Sequence, residues 1–270
     1  MNPDFEEKTF EVAANFELGL LTPTVDLWAP GQVLEGVLGF DVMAELDGDL
    51  HDVNQLLGVA MPPGLLWKPY FGSPPGAGSA PDWASLFLQY KRPERMFRRR
   101  GKFLKLFPGK YYRFDLDADQ HGALVGFRGA TLGQALVCYA SPRFHTNDDM
   151  MFYRQHRLVL ERTAFIEVGE AADHKNGAYD EVDAFLCSEP ERAPLYGLPG
   201  LARAIRQLDG VGDDSAQEGL LRHVRTLADA VALVSSIDDR TTDQLDLVDV
   251  VTSILTFAVA NEATWLVCAR

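Results

Sequence analysis

Gln89 and Lys91 stand two residues apart at the end of an apolar run, Ser85-Leu-Phe-Leu-Gln-Tyr-Lys91. On a strand, residues at that spacing share one face, so the run sets an amide beside an ammonium at a strand end. Upstream, Glu35 is followed by Gly39-Phe40-Asp41. These four polar groups suit metal-assisted hydrolysis of a phosphodiester. Asp41 offers hard carboxylate oxygen to Mg²⁺ (or Mn²⁺), and Glu35 completes the acidic set. Gln89 can give its amide oxygen to the same ion or orient a ligand of it. Lys91 can lower the pKa of an attacking water or stabilise charge developing on phosphate. Mg²⁺ keeps several waters, so a sparse protein set is sufficient. Taken singly, Lys91 reads as a solvated lysine, Asp41 as a turn residue and Glu35 as an exposed helical glutamate. The ordered set carries the chemistry. Glu6, Glu7 and Glu11 compete for the role of Glu35, which is preferred because a short helix running into the Asp41 strand brings both to one sheet edge.

A basic segment follows directly. From Lys91 to Arg113 there are ten basic residues against Glu94 alone. The segment is +9 in a chain of net charge −14, which leaves −23 elsewhere. An acidic chain is repelled by nucleic acid unless its charge is unevenly spread. Arg92, Arg95, Arg98, Arg99, Arg100, Lys102 and Lys105 alternate with Phe97, Phe103, Leu104, Leu106 and Phe107. The apolar residues can pack inward while the cations reach phosphates, a sequence-independent grip. The alternative is docking on the chain's own Asp243, Asp246 and Asp249.

Glu35, Gly39-Phe40-Asp41 and Leu86-Phe-Leu-Gln-Tyr-Lys91 together resemble the PD-(D/E)XK nuclease superfamily, in the Gln-x-Lys form of Mrr-type restriction endonucleases. The resemblance covers roughly the first third of the chain. Phe40 stands where a proline is customary, and the gap from Asp41 to Gln89 is longer than the usual hairpin. The resemblance implies an α/β fold with a central mixed sheet flanked by helices, restriction-endonuclease-like. It implies Mg²⁺-dependent endonuclease activity with Glu35, Asp41, Gln89 and Lys91 as site residues. Double-stranded DNA is the expected substrate ahead of RNA, and a phage-defence or toxin-like role follows by analogy.

The elements that must position these residues are legible in part. FEEKTFEVAANFELGLL predicts a helix ending at Thr22-Pro23. A second short helix is expected from Pro30-Gly31, and a strand over 40–46. Residues 62–82 are dense in Pro and Gly and read as a long irregular insert. Strands are expected at Leu86–Lys91, at Ala135–Ala140 ending before Ser141-Pro142, and in TAFIEVG. PERAPLYGLPG reads as a linker. LARAIRQL, EGLLRHVRTLADAVALVSSI and QLDLVDVVTSILTFAVANEATWLV have helical spacing. The expected organisation is a nuclease-like domain over 1–190 and a helical C-terminal subdomain over 191–270.

The three cysteines, Cys138, Cys187 and Cys268, suggest neither a disulfide framework nor a metal set, which fits a cytoplasmic protein. The N-terminus lacks the features of a signal peptide. The apolar C-terminal stretch is interrupted by Asn261 and Glu262, so no membrane span is expected. Two rival functions stand beside the nuclease. One is an inactive relative that binds nucleic acid, a protein partner or a second copy through the C-terminal helices. The other is a hydrolase built around His121, His145 and His174.

Overall fold

Two runs of eight consecutive buried residues, Trp83–Tyr90 and Ala135–Pro142, form neighbouring strands. In a strand buried on both faces, apolar residues run on instead of alternating with polar ones. The computed structural model describes residues 2–21, 83–97, 105–107, 109–169, 173–209, 216–235, 247–261 and 263–269. Glu35 and Asp41, the helix and strand expected around them, and the insert over 62–82 lie outside the described residues.

In chain order the described elements are α1 (Glu7–Leu21), β1 (Trp83–Tyr90), β2 (Glu94–Met96), β3 (Tyr111–Asp115), α2 (Ala118–Ala130), β4 (Ala135–Pro142), α3 (Asn147–His156) and β5 (Thr163–Glu167). They continue as β6 (Asn176–Tyr179), β7 (Ala184–Cys187), β8 (Pro190–Ala193), β9 (Leu195–Tyr196), α4 (Leu198–Arg206), α5 (Ala216–Ser235), α6 (Leu247–Ala260) and β10 (Ala263–Ala269). The fold is α/β, with two five-stranded sheets. The first has the order β10-β1-β4-β5-β9. Ser85 N–H donates to Gln134 C=O and Lys91 N–H to Ala140 C=O, so β1 and β4 advance in parallel. β4 and β5 pair antiparallel, with Tyr139 opposite Ile166. This sheet is therefore mixed, as expected. The second, β2-β3-β6-β7-β8, is antiparallel throughout.

Two compact units divide the chain. The first comprises 1–17, 88–125 and 137–203; the second comprises 18–87, 126–136 and 204–270. The boundary read at 190/191 falls inside the first unit. Gln89 and Lys91 belong to the first unit, and Ser85 and Phe87 to the second.

Several local expectations need revision. The 190–200 stretch is not a linker: it forms β8, β9 and the start of α4. Pro190 sits at the first position of its strand, where a missing N–H costs least, and Asp183 pairs with Arg192 at the end of the β7–β8 pair away from its turn. The last helical run stops at Ala260. Asn261 turns its side-chain amide back onto Phe257 C=O, and the aromatic and β-branched residues after it form β10. The strand Ala135–Ala140 continues through Ser141-Pro142, held by Thr163 opposite Pro142. Residues 118–130, unassigned from the sequence because three glycines weaken the helical signal, form α2. At Gly126 a Cβ would stand 2.7 Å from Val234 Cγ1 of α5, so that glycine permits close helix approach.

Each unit has its own aromatic core. In the first, Phe10 of α1 meets Tyr90 and Phe144 edge-on, and Phe114 of β3 packs on Tyr139 of β4. In the second, Phe87 packs against Phe127 of α2 and stacks on Trp265 of β10. Burying each such ring stabilises by about 1.5–3 kcal/mol, with about 0.5–1.5 kcal/mol more from ring geometry.

Candidate functional site at the end of β1

Strand alternation puts Gln89 and Tyr90 on opposite faces of β1; Lys91 is the first residue after the strand, its N–H bonded to Ala140 C=O. The Tyr90 face is covered by α1: the Tyr90 hydroxyl donates to Asn15 Oδ1 at 2.5 Å. Glu7 and Glu11 are carried by that helix, and Glu6 directly precedes it. Glu7 accepts the Arg92 backbone N–H at 2.7 Å, Glu6 meets the Arg92 guanidinium at 3.4 Å, and Glu11 pairs with Lys8. The glutamates that compete with Glu35 are therefore on or beside the helix over the opposite face from Gln89.

Gln89 is 1% exposed and Lys91 is 7% exposed. The backbone of Lys91 is fixed at both ends of its peptide unit. Its N–H bonds to Ala140, and its C=O accepts from Ser141 Oγ at 2.9 Å. Ser141 Oγ in turn accepts from the Tyr179 hydroxyl at 2.9 Å. Yet the described residues supply no carboxylate that pairs with the Lys91 ammonium.

Gln89 Nε2 donates to Gln120 Oε1 at 3.0 Å. Gln120 lies in the first turn of α2, a helix whose start is fixed twice. Asp117 Oδ1 accepts the backbone N–H of Asp119 and of Gln120, both at 3.0 Å. His121, fully buried, shares a 2.5 Å hydrogen bond between its Nδ1 and the Tyr139 hydroxyl on β4. Burial pushes that hydroxyl's pKa up, which keeps it protonated. Gln120 was not singled out from the sequence. The available signal was Asp117-x-x-Gln120, a capping-box spacing.

Of the three histidines, two meet. The His121 and His174 rings are 5.9 Å apart, edge to face. His174 Nδ1 accepts from Ser188 N–H at 3.3 Å, so Nε2 carries the proton and faces Glu191 at 3.6 Å. His145 instead takes the Arg95 guanidinium on Nε2 at 3.1 Å. Burial first, then the Arg95 charge, holds its pKa below the usual histidine value. Among the described residues no group of three or more His, Cys, Asp or Glu is placed to hold a metal ion. The metal carboxylates read from the sequence, Asp41 and Glu35, lie outside them. Of the expected metal set, Gln89 alone is described. One neutral amide beside an unpaired ammonium does not by itself make a divalent-cation site.

The basic segment is split. The Arg92 guanidinium donates to Pro3 C=O at 2.7 Å and meets Glu6, while Arg95 binds His145 and lies over the Phe97 ring. Both are engaged in internal contacts. Lys105 is exposed. Arg98, Arg99, Arg100 and Lys102 lie outside the described residues, as do Asp243 and Asp246.

A second polar cluster occurs in the other unit. The Ser85 hydroxyl and His223 Nε2 are 2.8 Å apart, His223 Nδ1 is 3.2 Å from Gln134 Oε1, and Trp265 Nε1–H donates to Ser85 Oγ at 3.0 Å. The order resembles a nucleophile, a base and its orienter. Ser85 and His223 are 0% exposed, and an indole N–H occupies the hydroxyl oxygen, so the cluster works as a clamp holding α5 to β1.

No described helix is long and apolar enough to cross a membrane. Neither a protein-family model, a curated protein nor a solved structure matches the chain.

Proposed function

We propose that the chain is a Mg²⁺-dependent endonuclease on a restriction-endonuclease-like core, acting on double-stranded DNA. The observation that supports this reading is Lys91: a lysine 7% exposed over the whole residue, with its backbone bonded on both sides and no carboxylate partner among the described residues. An ammonium without a paired carboxylate is available to an anion.

In this reading Glu35 and Asp41 supply the acidic ligands and Gln89 adds a neutral oxygen. A divalent ion held there would polarise the phosphodiester and activate water. Lys91 orients the attacking water and offsets charge growing on the phosphate. The cations that follow β2 in the sequence, from Arg98 to Lys105, grip the backbone through phosphate contacts, which carry no sequence information. A defence or toxin-like setting would suit such an enzyme.

Replacing Lys91 with Met tests this. Methionine fills similar space without the charge. We expect Mg²⁺-dependent cleavage to vanish while DNA retention stays and the Tm rises by about 2–4 °C, the equivalent of roughly 1 kcal/mol of relieved desolvation. Undiminished cleavage in the variant would remove the assignment. A parent protein that retains DNA but neither cuts it nor changes its melting with Mn²⁺ would point instead to the inactive binding module.

A further inference from the structure

His145 is a buried histidine whose two ring nitrogens are told apart by a neighbour. The Arg95 guanidinium lies 3.1 Å from its Nε2. A guanidinium carries N–H donors and no acceptor, so it can only donate. Nε2 therefore offers a lone pair, the proton sits on Nδ1, and the ring is neutral. A second proton would go to Nε2 and set an N–H against an N–H. The bond would be lost and two cations would face each other. That loss follows from the ring, whichever other contacts Arg95 makes.

Three segments of the first unit meet at this residue. Arg95 is the middle residue of β2, opposite Tyr112 of β3, and β2 stands at the end of the second sheet among the described strands. His145 C=O accepts the Asp4 N–H at 3.1 Å. Two residues on, Asn147 donates its N–H to Asp4 Oδ1 at 2.5 Å and its side-chain amide to Asp4 C=O at 2.6 Å. Thr146, between them, caps α3 by accepting the Asp149 N–H. Among the charges that act on the ring, Arg95 and the chain's α-amino group oppose a second proton, whereas Asp149 of α3 and Asp4 favour one. Protonation thus turns the ring's attraction from β2 to the two carboxylates.

We infer that His145 is a proton-operated latch between β2 and the entry to α3: neutral, it holds Arg95; protonated, it can no longer accept from Arg95 and is drawn to Asp4 and Asp149. The first unit is latched near neutrality and loosens at β2 in mild acid, a device independent of the nuclease reading. Burial first and the Arg95 charge second hold His145 below the ordinary histidine value of 6.5. A group kept neutral in this way contributes fully above that value, and its contribution is lost as pH falls through the folded one.

The test follows the His145 ring nitrogens by NMR, assigned through the backbone, and the Tm of the full chain from pH 7.5 to pH 5. At pH 7.5 the ring should show Nδ1 protonated and Nε2 bare. Arg95→Met should raise the pH at which His145 titrates. His145→Gln keeps a carbonyl acceptor for Arg95 and does not titrate in this range, so its Tm should fall about 2–4 °C less than the parent's over the interval. A parent ring protonated on Nε2 at pH 7.5 would overturn the inference. So would a His145→Gln chain whose Tm falls as far as the parent's, since the proton would then act elsewhere. Titration of His145 at the parental pH in Arg95→Met would overturn it too, and the two NMR readouts decide the matter even if His145→Gln does not fold.

Discussion

Lys91 and Glu17 are a buried cation and a buried anion that do not meet. Glu17 sits on α1, over the Tyr90 face of β1, and is 3% exposed. One oxygen accepts Leu160 N–H at 3.2 Å; the other has no hydrogen-bond partner. Burial is the largest influence and lifts its pKa above the ordinary 4.5, against the backbone N–H donors of Leu160 and Val159. The sign follows from linkage. A folded-state carboxyl that holds its proton more tightly contributes fully below the unfolded pKa and loses that contribution as pH rises through the folded value. Glu17→Gln removes the ionisation and keeps a carbonyl acceptor for Leu160. The expected gain is about 1 kcal/mol, some 2–4 °C in Tm, at pH 7, with none at pH 4. Parallel Tm–pH curves for parent and variant would show that Glu17 does not ionise within the fold. Lys91 differs because its cost has a use in the proposed reaction, whereas no described contact gives the Glu17 charge one.

Strand β1 carries both the site and its support. Along one face it presents Ser85, Phe87 and Gln89 in turn, and Lys91 directly follows the strand. Ser85 accepts the Trp265 indole and bonds His223, tying the start of the strand to α5 and β10. Phe87 packs on Phe127 and Trp265. The polar end follows at Gln89. Ser85 Oγ accepts the Trp265 N–H and shares a hydrogen bond with His223 Nε2, whose Nδ1 is 3.2 Å from Gln134 Oε1. Ser85→Ala leaves buried donors and acceptors without that hydroxyl. It should cost roughly 2 kcal/mol, or about 4–8 °C in Tm, measurable by thermal melting. A change within about 0.5 kcal/mol, the range of ordinary surface substitutions, would mean the hydroxyl is not needed as a clamp. The apolar run and the helical periodicities were readable because burial of strands and helix faces imposes a period on the sequence. The switch from helix α6 to strand β10 was not, since TWLVCA suits either state by composition and only pairing in a sheet decides.

At the scale of the whole chain, charge separation is the dominant feature. A net −14 chain with a +9 segment repels duplex DNA everywhere except along that segment. Arg92 and Arg95 are engaged internally, so in the proposed reading phosphate contact is assigned to the later cations. Neutralising Arg98, Arg99 and Arg100 together should flatten the slope of log affinity against log salt by about 2.7 for duplex DNA. Arg92→Ala and Arg95→Ala should each leave that slope as it is. A triple variant with the parental slope would move DNA contact off this segment.

The sequence by itself determined the buried strands, the first helix and the concentration of positive charge. These follow from residue type and period alone. Tertiary structure decided the rest: a second antiparallel sheet, the interleaved course of two units, the pairing of His121 with Tyr139, and the diversion of Gln120 from its own helix cap to Gln89. Those partners are about thirty residues or fewer from one another in sequence, yet no periodic signal marks them. They depend on which elements pack together, and burial then forces each polar group to find whichever donor or acceptor the packing leaves within reach.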